Sequence, residues 1–248
     1  MTGVEICVES ASGVAAASAA VADRVELCTA LDVGGLTPSA GLMRLAVEAG
    51  IAARALIRPR AGLFRYDANE AALIECDIVL AGEFGLEGVV FGAAGADDRL
   101  DCDLIRRWVD RAGPLGKTLH RVFDLTPDPF EALETAIEAG FDRILTAGQA
   151  RSALEGAPLL ARLVEAAAGR IMIMAAGGLT PENAPAIMRE TGVGEVHASC
   201  RAPASEDEPE PSFGFGRRPA PIDAHRVKAL VEAVRAADRI DPPRRIGQ

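Results

Sequence analysis

The feature of this sequence that most constrains its fold is a regular alternation of short β-branched segments with longer segments rich in Ala, Leu and Glu. The alternation occurs eight times in 248 residues. Strands alternating with helices predict an α/β fold with a parallel sheet, and eight such units predict a closed (β/α)8 TIM barrel in a single domain over residues 1–248. An open doubly wound sheet is the alternative, but VESASG, after the first strand, is not the glycine-rich turn typical of that fold.

The periodicity also gives approximate bounds for each element. The predicted strands cover residues 3–8, 23–28, 52–57, 88–92, 117–123, 142–146, 170–175 and 194–199. The predicted helices cover residues 11–21, 39–49, 69–85, 101–113, 128–139, 157–168, 181–191 and 222–237. Three segments do not follow the pattern: an irregular insertion at 59–67, a long loop at 201–221 and a short tail at 239–248. The loop is rich in Pro, Glu and Gly, which is typical of a disordered segment, although its position after strand eight also suits a lid or an interface.

Charge and cysteine content limit the partners that the protein could have. A formal net charge of −10 argues against nucleic acid, which is bound by basic surfaces. No apolar run approaches the roughly 20 residues of a membrane span, and no signal peptide precedes the first strand. The five cysteines are widely spaced and form no CxxC motif. We therefore expect a cytoplasmic protein with free thiols, whose partner is a metal ion or a small-molecule ligand.

Two early strands place polar side chains where a barrel usually has apolar ones. In the first strand Val4, Ile6 and Val8 must face the helices, which turns Glu5 and Cys7 toward the barrel interior. The second strand repeats this order, with Glu26 and Cys28 facing inward. The same alternation predicts inward positions for Glu195, His197 and Ser199 in strand eight, and for His120 and Asp124 in strand five.

The inward polar residues predict a functional cavity at one mouth of the barrel. Buried ionisable groups are costly unless they are paired or solvated, so a chance cluster of this size is not expected. A structural ion pair or a hydrogen-bonded core histidine remains the alternative for any single member. The candidate catalytic residues are Glu5, Glu26, His120, Glu195 and His197. The candidate substrate-binding residues are Arg58 and Arg60 after strand three, Thr146 at the end of strand six, Gly177 and Gly178 after strand seven, and Ser199.

Cys7 and Cys28 form a separate candidate metal site. Taken singly, each is better explained as a small apolar residue, but inward thiols on adjacent strands favour a shared role. Because alternate strands contribute to each layer of a barrel, we expect the two thiols in neighbouring layers. They should then not lie side by side, yet still be close enough for a soft metal to bridge them.

Several motifs together resemble those of the CutC family of copper homeostasis proteins. They are EIC at 5–7, ADRVELC at 22–28, GGLTPS at 34–39, IRPR at 57–60, HRVFD at 120–124, RILTAGQ at 143–149 and EVHAS at 195–199. The similarity runs in order from residue 3 to about residue 200, and the sequence departs from the family pattern after that. The resemblance implies a cytoplasmic (β/α)8 barrel, often a homodimer, with a role in copper homeostasis and with Cys7 and Cys28 as ligands of Cu(I).

Two functions of different class follow. The first is copper ion binding or handling, with Cu(I) held by Cys7 and Cys28 and an imidazole added by His120 or His197. The second is a lyase, isomerase or hydrolase acting on a small anionic or phosphorylated metabolite, so that whether the protein is an enzyme stays open.

In that second function His120 or Glu195 is the general base, and Arg58 and Arg60 grip a carboxylate or phosphate. Gly177 and Gly178 would offer backbone amides to a phosphate. A divalent cation such as Mg²⁺ or Mn²⁺ is the alternative cofactor, held by Glu5, Glu26, Glu195 and His197.

Overall fold

The structure, a computed structural model, describes residues 1–202 and 220–240. Most of the predicted 201–221 loop and all but two residues of the predicted 239–248 tail lie outside the described residues. Within them, residues 59–67 form neither a helix nor a strand.

Eight parallel strands close into a barrel in chain order, which confirms the predicted (β/α)8 fold. They are β1 (Gly3–Val8), β2 (Arg24–Leu27), β3 (Ala53–Leu56), β4 (Gly88–Phe91), β5 (Gly116–Leu119), β6 (Arg143–Thr146), β7 (Met172–Ala175) and β8 (Glu195–Ala198). The bounds agree with the prediction to within about two residues except in strand five, which ends at Leu119 instead of residue 123. There His120 caps a 3₁₀ helix, Arg121–Leu125, by accepting the Val122 amide proton at its Nδ1 atom, 3.2 Å away.

A helix follows each strand and packs on the outside of the barrel. The helices are α1 (Ala11–Ala19), α2 (Ala40–Glu48), α3 (Ala68–Glu83), α4 (Cys102–Ala112), α5 (Pro129–Ala139), α6 (Ala157–Ala167), α7 (Ala184–Thr191) and α8 (Ala224–Ile240). Polar caps start several of them: Asp67 and Glu70 form a capping box at α3, and Ser39 caps α2. No helix within residues 1–202 and 220–240 is long and apolar enough to cross a membrane.

The main apolar core lies between the sheet and the helices. Val4, Ile6 and Val8 of β1 are buried there, as the alternation predicts, together with Val25 and Leu27 of β2. The interior of the barrel holds two small apolar clusters, which the main core does not include. One consists of Cys7, Cys28, Leu56 and Val90, and the other of Leu145, Met174 and Ala176. The remaining interior is polar, and this polar part contains the candidate site.

Candidate functional site

Strand register brings the predicted inward residues of β1, β2 and β8 together. Glu5 pairs with Arg24 of β2 on one side and with His197 of β8 on the other. Cys7, two residues further along β1, pairs with Glu26. Parallel strands in this register place the side chains of Cys7, Glu26 and His197 at the same end of the interior.

Glu5 and His197 form a direct hydrogen bond. His197 donates from Nδ1 to Glu5 Oε1 over 2.8 Å, and Glu5 is completely buried. Burial alone would raise the pKa of Glu5, but the positive charge of Arg24 and the bond from His197 outweigh it and lower the pKa to about 2. An ionised Glu5 fixes the orientation of the imidazole and leaves its Nε2 atom facing Glu26, 3.8 Å from Oε2.

Two of the predicted acids are neutralised by arginines inside the barrel. Arg24 donates from Nε to Glu5 at 2.5 Å and from Nη2 to Glu195 at 2.7 Å. Arg143 donates from Nε to both oxygens of Glu195, at 3.0 and 2.9 Å. These contacts make Glu195 a partner in a buried ion network. Of the predicted divalent-cation set, Glu26 and His197 are not bonded to an arginine of the described residues.

The two thiols are in contact. The Sγ atoms of Cys7 and Cys28 are 3.3 Å apart, and both residues are buried. The register puts them at neighbouring levels, since Cys7 pairs with Glu26 while the Cys28 amide donates to Val8. The predicted neighbouring layers are therefore confirmed, with a two-residue offset in register. The expectation that the thiols would not lie side by side is wrong, because the two Sγ atoms are in direct contact across that offset.

Cys7, Glu26 and His197 form a compact cluster of metal-ligating groups. One ligand atom from each lies within 4.8 Å of the others. Glu26 Oε1 is buried and has no hydrogen-bond partner among the described residues. We call this set the mouth cluster.

The charges of the mouth cluster influence one another strongly. Burial raises the pKa of Glu26, although the neighbouring His197 partly opposes this. Burial would lower the pKa of His197, but the carboxylates of Glu26 and Glu5 raise it overall. The hydrogen bond with Cys28, burial and the Glu26 carboxylate raise the pKa of the Cys7 thiol, so that this thiol is protonated at neutral pH.

His120 lies apart from the mouth cluster. It is buried under Phe64 of the 59–67 segment, with ring centroids 4.5 Å apart. Its Nδ1 atom accepts the Val122 amide proton, and its Nε2 atom has no partner among the described residues. Burial lowers its pKa to about 3, with a smaller contribution from the nearby charge of Arg58. The imidazole is consequently neutral. Its contacts hold the 3₁₀ helix after β5 and the 59–67 segment in place.

The two arginines predicted to grip an anion are occupied by protein groups. Arg58 donates from its guanidinium to the carbonyls of Val33, Gly35 and Gly62, at 2.8–2.9 Å. Arg60 binds Glu70 through Nε and Nη2 and donates to three nearby carbonyls. A grip on a carboxylate or phosphate would require either side chain to give up these bonds.

Thr146 and Asp124 brace the loop after β6. Thr146 donates to Asp124 Oδ1, which also accepts the Gln149 amide proton at 3.1 Å. Asp124 lies in the 3₁₀ helix and not in a strand, so the strand alternation from which its inward position was predicted does not apply to it.

Gly177 and Gly178 follow β7 with positive φ angles of 94° and 73°, which require glycine at this turn. Their amides donate no hydrogen bond within the described part of the chain. Ser199 follows β8 and is half-buried.

The sequence interpretation missed the arginines of the interior. Arg54 donates to Thr118 at 3.0 Å, and burial together with Arg143 and Arg24 lowers its pKa to about 10. Arg54 and Arg143 both have inward parity in their strands, so the alternation that identified the acids also contained the signal for their partners.

Comparisons with known proteins agree with the fold and give it a family. The model of the CutC family matches residues 2–202. A CutC family protein of Caulobacter vibrioides is 46% identical over 234 residues, which cover 94% of this chain and 96% of that protein. The human "Copper homeostasis protein cutC homolog" is 42% identical over 200 residues, covering 80% of this chain and 73% of the human protein.

Solved structures give the same result. The crystal structure of CutC from Streptococcus agalactiae superposes with a TM-score of 0.77 at 34% identity, over 80% of this chain and 99% of that one. A thiamine phosphate pyrophosphorylase from Pyrococcus furiosus has a TM-score of 0.61 at 14% identity, which shows a shared fold alone. The family match over most of the chain, the level of identity and the closed barrel together show that this chain belongs to the CutC family.

Proposed function

We propose that this protein acts in copper homeostasis by binding Cu(I) between Cys7 and Cys28, with His197 as a third donor. The observation that carries the proposal is the contact of two buried thiols, whose Sγ atoms are 3.3 Å apart. The human relative carries the name copper homeostasis protein, which supports the same function. The cytoplasmic location and the homodimer that the sequence resemblance implies are parts of this proposal.

The surroundings of the thiol pair suit a soft ion. Leu56 and Val90 pack against the two cysteines, with Leu31 partly covering them. Thiolates are preferred ligands of Cu(I), and an apolar wall keeps water and harder ligands away from the ion. Binding would replace the thiol–thiol contact with two sulfur–copper bonds and release the thiol protons.

A ligand atom of His197 lies within 4.8 Å of Cys7. It shares the mouth cluster with Cys7, whereas His120 is outside that cluster and covered by Phe64. Of the two histidines predicted as a third ligand, the geometry therefore supports His197.

We expect one Cu(I) per chain in an anaerobic titration against a competing chelator. Cys7→Ser and Cys28→Ser should each weaken binding by about 100-fold or more, because each removes one of two thiolates. Cys76→Ser is the matched control, since Cys76 is exposed on α3 and should leave the affinity unchanged. A Cys7→Ser/Cys28→Ser double variant that keeps the original Cu(I) affinity would contradict the proposal.

A second candidate function, an enzyme acting on a phosphorylated metabolite, is favoured by the turn after β7. The amides of Gly177 and Gly178 are not engaged by other described groups, and TIM barrels often bind phosphate near this loop. Inorganic phosphate added to ¹⁵N-labelled protein should then shift the two glycine amide resonances in a saturable manner. Unmoved resonances at millimolar phosphate would remove this candidate.

A further inference from the structure

The mouth cluster combines three different donor types from three strands. Cys7 of β1 offers a sulfur, Glu26 of β2 an oxygen and His197 of β8 a nitrogen. Cys28, although in contact with Cys7, is not a member of this set among the described residues. The cluster is therefore a donor set distinct from the thiol pair, with which it shares Cys7. It also includes His197, the third donor proposed above for Cu(I).

The separations within the cluster are close to those around a tetrahedral ion. Zinc binds Cys, His and carboxylate ligands at about 2.0–2.3 Å, which places neighbouring donors on the order of 3.3–3.8 Å apart. His197 Nε2 and Glu26 Oε2 are 3.8 Å apart, and all three donors lie within 4.8 Å of one another. Movements that shorten each separation by up to about 1 Å would bring the donors to the spacing around a bound zinc ion.

One buried carboxylate oxygen of the cluster has no hydrogen-bond donor within the described residues. Glu26 is 4% exposed, and its Oε1 atom has no hydrogen-bond partner among the residues described. A buried carboxylate oxygen without a donor is costly. A cation beside Glu26 would supply the missing interaction, so the unpaired oxygen supports the proposed site independently of the donor distances.

The imidazole is already oriented for metal binding. Its Nδ1 atom is held by Glu5 at 2.8 Å, and Glu5 is in turn held by Arg24. A carboxylate on one ring nitrogen fixes the other as the ligand, an arrangement common behind metal-bound histidines. Glu5 would thus position His197 without contacting the ion.

The mixture of donors indicates the class of cation. A thiolate disfavours Mg²⁺ and Mn²⁺, which prefer oxygen, and a carboxylate adds little for Cu(I). Zinc accepts all three donor types. Three protein ligands also leave a fourth position open, as in zinc sites that bind water or substrate.

We propose that Cys7, Glu26 and His197 form a zinc site with one open coordination position, used in alternation with the Cys7–Cys28 thiol pair. The two sites share Cys7 and His197, so zinc and Cu(I) compete for the chain. The zinc site does not depend on Cu(I) being bound, and it goes beyond the copper function proposed above.

Zinc titration of the full chain against a chromophoric chelator tests the site. We expect one Zn²⁺ per chain. Glu26→Gln should weaken zinc binding by more than the 10–100-fold typical of losing an outer partner, because it removes a ligand. The change keeps the side-chain shape, and Glu26 makes no arginine ion pair within the described residues, so we expect the variant to fold.

Cys28→Ser is the matched control for Cys7→Ser. The two thiols are buried neighbours, yet only the loss of Cys7 should weaken zinc binding. Cobalt substitution gives a second readout: the thiolate-to-cobalt charge-transfer band should vanish in Cys7→Ser and persist in Cys28→Ser. Circular dichroism and thermal melts establish that each variant is folded.

Cu(I) titrations of the same variants separate the two proposals. We expect Cys28→Ser to weaken Cu(I) but not Zn²⁺, and Glu26→Gln to weaken Zn²⁺ but not Cu(I). Equal loss of zinc affinity in Cys7→Ser and Cys28→Ser, or full zinc affinity in Glu26→Gln, would overturn the zinc site. Either result would leave the Cu(I) proposal to be decided by the Cu(I) titrations alone.

Discussion

Replacement of Arg24 by methionine is expected to lower the free energy of unfolding by about 3–5 kcal/mol. The guanidinium is buried and bridges Glu5 and Glu195, so its loss leaves two buried carboxylates with one cationic neighbour fewer each. Methionine keeps the length and the apolar stem of the side chain, which limits the loss of packing. Urea unfolding at neutral pH, followed by circular dichroism, measures the change.

Two further variants identify the cause of that loss. Arg99→Met removes an exposed ion pair with Glu131 and should cost less than about 1 kcal/mol. Adding Glu5→Gln to Arg24→Met removes one of the uncompensated charges and should recover part of the lost stability. A double variant no more stable than Arg24→Met would show that packing, and not charge, explains the effect.

The alternation along each strand is enough to predict which residues enter the barrel, because the pleat turns successive side chains to opposite faces. It correctly predicts that Glu5, Cys7 and Glu26 are buried in the interior. It cannot predict which inward groups meet, since that depends on the stagger between strands and on side-chain length. Arg143 thus reaches Glu195 across the interior, although β6 and β8 are not adjacent.

Strand five shows a second limit of the pattern. The segment KTLHRVF has the residues of a strand, but the chain turns into a 3₁₀ helix at Arg121. The cause is a local hydrogen bond, in which His120 accepts the amide proton of Val122. Side-chain caps of this kind compete with strand pairing. They cannot be recognised from the hydrophobic pattern of the sequence.

The chemistry of the interior divides into two layers with different tasks. Arg24, Arg143 and Glu195 neutralise one another, and they hold Glu5 ionised beneath His197. On the mouth side, Cys7 and Glu26 are not bonded to any arginine within residues 1–202 and 220–240. In the proposed zinc site, the buried ion pairs would hold His197 in place while Glu26 Oε1 remains without a partner, an arrangement typical of a preorganised metal site.

His120→Asn is expected to remove a large part of the acid sensitivity of the protein. The pKa of His120 is about 3 in the folded chain, against an ordinary value of 6.5. As the pH falls below 6.5, His120 takes up a proton in the unfolded chain but not in the folded chain. The free energy of unfolding therefore decreases with acidification until the pH reaches about 3. This one group should cost the native protein about 2 kcal/mol at pH 5 and about 3 kcal/mol at pH 4, relative to neutral pH.

Asparagine does not titrate, and its side-chain oxygen can accept the Val122 amide proton in place of Nδ1, which preserves the cap. Urea unfolding of both proteins from about pH 7.5 down to about pH 4 gives two curves of stability against pH. The curves should separate progressively below pH 6.5, with the variant less sensitive, because all other titrating groups are common to both. Parallel curves over this range would mean that His120 takes up its proton in the folded chain, and that the buried, neutral imidazole under Phe64 is not the native state in acid.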